Sequence, residues 1–256
     1  MTSSRSMKLI SLVIILSYSL LVGCQDTTPT KLTIATAANM QFAMKELTSS
    51  FTIQTGLPCE TVISSSGKLT AQIKEGAPFD ILVSADMKYP SDLFENGFAT
   101  SAPETYAHGR LVLWSMTEQS PSLEILSDET ISHIALANPK IAPYGSAAVE
   151  VLEHHNILGE VTDKVVYGES IAQTNQFIIS KAAEMGFTAK SVVLSPGMKG
   201  QGRWIEIDPN IYTPLAQGIV ILDNQRGQLD QAQKFYDFLF SQKGKEILDK
   251  FGYSVF

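Results

Sequence analysis

The sequence predicts an α/β protein of two lobes, with mixed sheets flanked by helices, on three observations. Strand-like stretches alternate with helix-like ones, the alternation falls into two sets, and no internal repeat or low-complexity tract interrupts it. Alternation of this kind implies parallel or mixed sheets, because neighbouring parallel strands must be joined by a crossover, usually a helix.

The first 23 residues read as an export signal. Arg5 and Lys8 form a short basic region, and the apolar run from Leu9 to Val22 is too short for a comfortable membrane span. Its end, Leu21-Val22-Gly23-Cys24, resembles the bacterial lipobox, which implies lipidation of Cys24 as the new N-terminus. Residues 24–30 then form a lipidated terminus and polar tether. Removing residues 1–23 takes away two positive charges and no negative ones, so the formal charge moves from −7 to −9. Such a surface excludes nucleic acid and anionic membrane surfaces as partners. The other cysteine, Cys59, is left without a disulfide partner and is expected as a small buried residue on a strand.

The mature chain begins with a strand at Lys31 to Ala35. Met40, Met44, Leu47 and Phe51 then recur at spacings of four, three and four, one face of a helix starting near Asn39. After a Gly56-Leu57-Pro58 turn, Glu60 to Ser64 reads as a strand, Leu69 and Ile73 as the inner face of a helix, and Phe79 to Val83 as a buried strand. Arg110 to Ser115 is another. The second set runs through strands at Ile134 to Ala137, Val165 to Val166 and Gly186 to Ala189, with helices at Ser146 to His154 and Ile171 to Ala183. Trp204 to Ile207 and Leu215 to Leu222 read as strands, and Asp230 to Phe240 and Gly244 to Phe251 as closing helices. Lobe one is expected over 31–112 and 216–256, lobe two over 113–215.

Four of the helix starts carry small hydrogen-bond donors. They are Asn39 in "TAANMQ", Ser66 and its neighbours in "SSSGK", Tyr144, Gly145 and Ser146 in "APYGSAAVE", and Ser170 and Ile171 in "GESIAQ". Unpaired N–H groups and the positive end of the dipole make a helix start an anion site, although every helix needs a cap whether or not it has a ligand. Hydroxyls, amides and N–H groups without an acid suit a fully deprotonated oxyanion of sulfate-like geometry; a protonated phosphate needs an acceptor.

The chain resembles the periplasmic molybdate-binding proteins of ATP-binding cassette importers along nearly its whole mature length. The likeness is carried by "LTIATAANMQFAMKELTSSF", "SSSGKLTAQIKEGAPFDILVSAD", "HGRLVLWS", "IALANPKIAPYGSAAVEVL", "GESIAQTNQFI" and "KGKEILDKFGY". The resemblance implies a two-lobed periplasmic-binding-protein-like fold of type II, with crossing strands in "LVLWS" and "TPLAQGIVIL" and the ligand in the interlobe cleft. It implies capture of molybdate or tungstate by Ala38, Asn39, Ser66, Tyr144 and Ile171. The metal arrives inside the oxyanion, with no cofactor and no catalysis. It also implies a monomer outside the cytoplasm, tethered through Cys24 and serving a membrane permease and its ATPase. Many members of the family have serine in place of Asn39 and a tyrosine in place of Ala189; a variant with asparagine in the first loop and tyrosine in "APYG" matches this sequence better.

Other readings compete. The same site would serve another tetrahedral oxyanion or an envelope anion sensor. Ser65-x-x-Lys68 spells a serine–lysine hydrolase pair, but the S-D-N-like and K-T-G companions are absent from the sequence. His154 and His155, adjacent at a helix end, point about 100° apart and suit one metal poorly. Trp114 and Trp204 read as core or hinge residues rather than sugar platforms.

Overall fold

The computed structural model describes residues 31–224 and 226–255. The export signal, Cys24 and the tether lie outside the described residues. Two five-stranded mixed sheets organise the chain. The first is built from β1 (Leu32–Ala37), β2 (Cys59–Ser64), β3 (Ile81–Val83), β4 (Glu104–His108) and β10 (Ala216–Ile221), in the order β2-β1-β3-β10-β4. The second is built from β5 (Leu111–Ser115), β6 (Ile134–Ala137), β7 (Val165–Gly168), β8 (Met185–Ala189) and β9 (Arg203–Glu206), in the order β7-β6-β8-β5-β9. In each, three parallel strands are followed by one antiparallel strand, β10 or β5, and then an outer strand paired antiparallel to it.

The helices are α1 (Gln41–Thr55), α2 (Ser66–Lys74), α3 (Lys88–Glu95), α4 (Pro143–His154), α5 (Ile171–Ile179), α6 (Leu229–Phe240) and α7 (Gln242–Lys250), with shorter helical turns between them. Met40, in the 3-10 turn leading into α1, and Met44, Leu47 and Phe51 on α1 are all buried, as their spacing requires. Phe51 meets Phe235 of α6 edge-on at 5.2 Å between ring centroids, a geometry that adds about 0.5–1.5 kcal/mol to the burial itself. Thus α6 and α7, last in the chain, cover the first sheet. Gly56, at φ 74°, ends α1 in the left-handed region that glycine enters at no steric cost. Among the described residues no helix is long and apolar enough to cross a membrane.

Several boundaries differ from the sequence reading. Leu111–Ser115 and Ala216–Ile221 do not cross between sheets; each lies wholly within one, and the chain passes over at His108 to Arg110 and returns just before Ala216. The two passages run side by side, with the Gly109 N–H donating to Leu215 O at 2.9 Å. Strand β4 was not expected; its few alternating residues become a strand by pairing with β10. Nor was α3, where Pro90 stands in the first turn, a position with no intrahelical acceptor for an N–H. Helix α5 stops at Ile179, short of Ala183, and Lys181 follows at φ 60°. Cys59 is half-buried at the head of an edge strand rather than fully buried, and burial pushes its thiol up to about 11.

Candidate functional site

Parallel pairing fixes where the site lies. Ala37 is level with Ser64, Thr36 with Val83, and in the second sheet Ala137 with Gly168. Within each sheet the loops leaving these strand ends therefore emerge together, and ligands of open α/β sheets bind beyond the carboxyl ends of parallel strands. Ala38, Asn39, Ser66, Tyr144 and Ile171 line a single cavity, joined by Ser65, Ala85 and Pro143. Its volume, measured by the space open to the centre of a water-sized sphere, is about 10 Å³, so an occupant is compact.

Each wall is a helix start. Ala38 and Asn39 open a 3-10 turn, Ser66 is the first residue of α2, Pro143 and Tyr144 the first two of α4, and Ile171 the first of α5. The first N–H groups of a helix have no acceptor within it, so the four starts bring donors and positive dipole ends to the cavity lining, with the Gly67 N–H of α2 taken by Ile141 O at 3.0 Å. Gly145 lets α4 come this close to β6, since a Cβ there would fall 2.1 Å from Ala137 O.

The side chains divide into donors and positioners. Ser66 Oγ accepts from the Ala85 N–H at 3.0 Å, which fixes the oxygen and leaves its proton to donate. Ser65, weighed in the sequence with Lys68 but not among the expected oxyanion ligands, has its hydroxyl buried at 3% residue exposure without a hydrogen-bond partner among the described residues. It precedes α2, where a serine ordinarily accepts from the helix backbone; here it makes no such bond. The Asn39 amide is engaged elsewhere, its NH₂ donating to Gln217 Oε1 at 2.9 Å and Tyr253 Oη at 3.1 Å. What Asn39 presents to the cavity is thus its backbone. Tyr144 Oη accepts from Gln217 Nε2 at 3.1 Å. Of the remaining candidates, Ser146 donates to Pro139 O at 2.9 Å and Ser170 caps α5 by accepting from the Gln173 N–H. Ala189 is buried at the end of β8 and does not line the cavity.

Among the described residues no charged side chain lines the cavity. Lys68, two residues beyond Ser66, pairs with Glu169, two residues before Ile171, and both are exposed. Burial raises the Asp86 carboxyl above its ordinary value; that group accepts from Ser84 Oγ and the Tyr89 N–H. Burial also pushes the Tyr106, Tyr144 and Tyr253 phenols upward, keeping them neutral donors at physiological pH. The Ser65-x-x-Lys68 spacing forms no dyad, because the hydroxyl is unpartnered and the ammonium is bound to Glu169. His154 and His155 stack edge to face at 5.4 Å, and among the described residues no three His, Cys, Asp or Glu side chains group to hold a metal ion. Trp114 is buried in the second sheet, its indole N–H donating to Gln201 O at 3.2 Å.

Residues 32–254 match the family described as bacterial extracellular solute-binding protein. The chain is 36% identical to the molybdate-binding protein ModA of Azotobacter vinelandii over 228 residues, 87% of this chain and 89% of the relative. It is 37% identical to ModA of Rhodobacter capsulatus over 223 residues, 86% of each. Its fold superposes on the solved periplasmic molybdate-binding protein of Azotobacter vinelandii with a TM-score of 0.82 at 33% identity, covering 88% of this chain and 99% of that one.

Proposed function

The chain belongs to the bacterial extracellular solute-binding proteins, and from that premise we propose that it captures molybdate or tungstate outside the cytoplasm for an ATP-binding cassette importer. Its relatives are named for binding molybdate. The single observation that carries the reading to this chain is the convergence of four helix starts on one small cavity free of charged side chains. Such a site stabilises a doubly charged oxyanion through fixed dipoles and offers no carboxylate to accept a proton from it. Selection against sulfate then rests on size, because a closed ring of donors fits one radius best.

The donors in this reading are the backbones of Ala38, Asn39 and Ile171 and the hydroxyls of Ser66 and Tyr144, with Ser65 as a further candidate. In this reading the lobe division expected at 112/113 moves to Gly109, because β5 lies wholly in the second sheet; lobe one comprises 31–109 and 216–256 and lobe two 110–215, moving about the paired passages at Gly109 and Leu215. The work is capture, closure and release rather than chemistry. A permease and its ATPase receive the ligand, and a lipid on Cys24 keeps a monomeric protein at the membrane surface.

Calorimetric titration of residues 26–256 with molybdate, tungstate, sulfate and phosphate at neutral pH tests the reading. Tight binding of the first two alone is expected. Tight binding of sulfate or phosphate would keep the fold and overturn the ligand.

A further inference from the structure

We propose that Gln217 is a specificity-determining positioning residue that orients Tyr144 as a donor toward the cavity. The inference rests on the oxyanion reading above and concerns how the same site rejects protonated anions.

A run of hydrogen bonds of fixed direction leads to Tyr144 from a backbone carbonyl. Tyr253 Oη donates to Asn39 O at 3.0 Å, and a carbonyl can only accept. The phenol proton is thereby used, so the Asn39 side-chain atom facing Tyr253 Oη at 3.1 Å must be its NH₂. The same NH₂ faces Gln217 at 2.9 Å, which requires the Gln217 carbonyl on that side. Tyr106 Oη, donating to Gln217 Oε1 at 2.7 Å, agrees. The other end of the Gln217 amide is then NH₂, and it donates to Tyr144 Oη at 3.1 Å. With that bond accepted, the Tyr144 proton is left to donate, to a bound anion or, in its absence, to the neighbouring Asn39 side chain.

The fold supports this role. Gln217 is fully buried, and the β10–β4 register shifts between Gln217 and Gly218, a bulge of the kind that re-aims a side chain. Gln217 belongs to the first sheet and Tyr144 to a helix packed on the second, so the donor is set only when the two halves are together.

A fully deprotonated oxyanion welcomes a phenol that only donates. A monoprotonated phosphate presents a P–OH that needs an acceptor, and Tyr144, with one lone pair bonded to Gln217, is a poorer acceptor than a free hydroxyl. Replacing Gln217 by methionine frees the hydroxyl to turn and to accept.

The test measures molybdate and phosphate affinities at neutral pH for wild type, Gln217→Met, Tyr144→Phe and the double variant. Gln217→Met is expected to lower the molybdate-to-phosphate affinity ratio about tenfold or more, and to leave the ratio unchanged in the Tyr144→Phe background. If Gln217→Met weakens both anions alike, Gln217 is merely structural and the proposal is overturned. An equal shift of the ratio in both backgrounds also overturns it. Gln217→Glu keeps the shape and an acceptor for Tyr106 and Asn39 but turns an acceptor toward Tyr144; it is expected to lose molybdate binding, and wild-type affinity in that variant would overturn the proposal even if the methionine variant failed to fold. A wild type that binds no tetrahedral oxyanion removes the functional reading itself, whereas a binding wild type with an unchanged ratio removes only the role of Gln217.

Discussion

A Cβ on Gly109 would fall 2.1 Å from the Tyr144 hydroxyl and 2.3 Å from Gln217 Nε2. The passage between the sheets therefore carries no side chain where the phenol and amide meet. Gly109→Ala is expected to displace Tyr144 and weaken molybdate binding about tenfold or more, the scale of one lost charge-assisted hydrogen bond. Overpacking should also cost about 1–3 kcal/mol of stability. Titration and denaturant unfolding of the same preparation check both; undiminished affinity would show that Tyr144 does not donate from this position.

The hydroxyl donors can be separated one by one. Ser66→Ala and Tyr144→Phe should each lose a hydrogen bond to an anion, worth about 1.5–3 kcal/mol, or about ten- to a hundredfold in affinity. Ser65→Ala distinguishes a donor from a residue buried for other reasons. Its hydroxyl has no partner among the described residues, so its loss should leave stability unchanged or slightly raised, and any fall in affinity identifies it as a ligand. Unchanged affinity in Ser66→Ala and Tyr144→Phe together would move the site elsewhere.

The carriers of the fold were legible because they obey simple periodicities. The spacing of Met40, Met44, Leu47 and Phe51 predicts the buried face of the first helix, and pairing of β6 with β7 accounts for Tyr144 lying near Ile171, whereas Ser66 follows β2 of the other sheet and meets them only at the cavity. What stayed hidden depends on contacts distant in sequence. Nothing local to Gln217 says that its amide will bridge Asn39, Tyr106 and Tyr144, because a polar residue in an apolar strand carries no record of its partners. Ser65 was masked by its position, since a serine before a helix is ordinarily spent on the cap. Strand β4 gains its identity from β10, more than a hundred residues later.

Lys68 and Glu169 bridge two of the helix starts at the surface, with side-chain exposures of 39% and 67%. Exposed pairs contribute about 0–1 kcal/mol and are screened by salt. Lys68→Met should therefore change molybdate affinity by no more than about fivefold at low ionic strength, with the difference vanishing in about 0.5 M salt. A large, salt-resistant loss would mean that the ammonium reaches the anion directly.

The lipobox reading of Leu21 to Cys24 concerns residues outside those the structure describes. Mass spectrometry of the native N-terminus should find acyl chains on Cys24, and Cys24→Ser should yield protein without them. Two chains are the expected number, since one gives only marginal, reversible membrane attachment. An unmodified wild-type N-terminus would remove the anchor while leaving the binding site untouched.

The buried tyrosines predict how stability depends on pH. Desolvation raises the phenols of Tyr106, Tyr144 and Tyr253 above their ordinary value, so at alkaline pH the unfolded chain loses protons that the folded chain retains. Where the unfolded state binds fewer protons, stability falls as pH rises. The contribution of the three phenols is thus fully present below the ordinary tyrosine value of about 10 and declines above it. Denaturant midpoints should show no loss traceable to these groups from about pH 7 to 9 and a fall beyond about pH 10. Tyr106→Phe should make that fall shallower. A slope unchanged in the variant would mean that Tyr106 is not the neutral, buried donor that Gln217 requires.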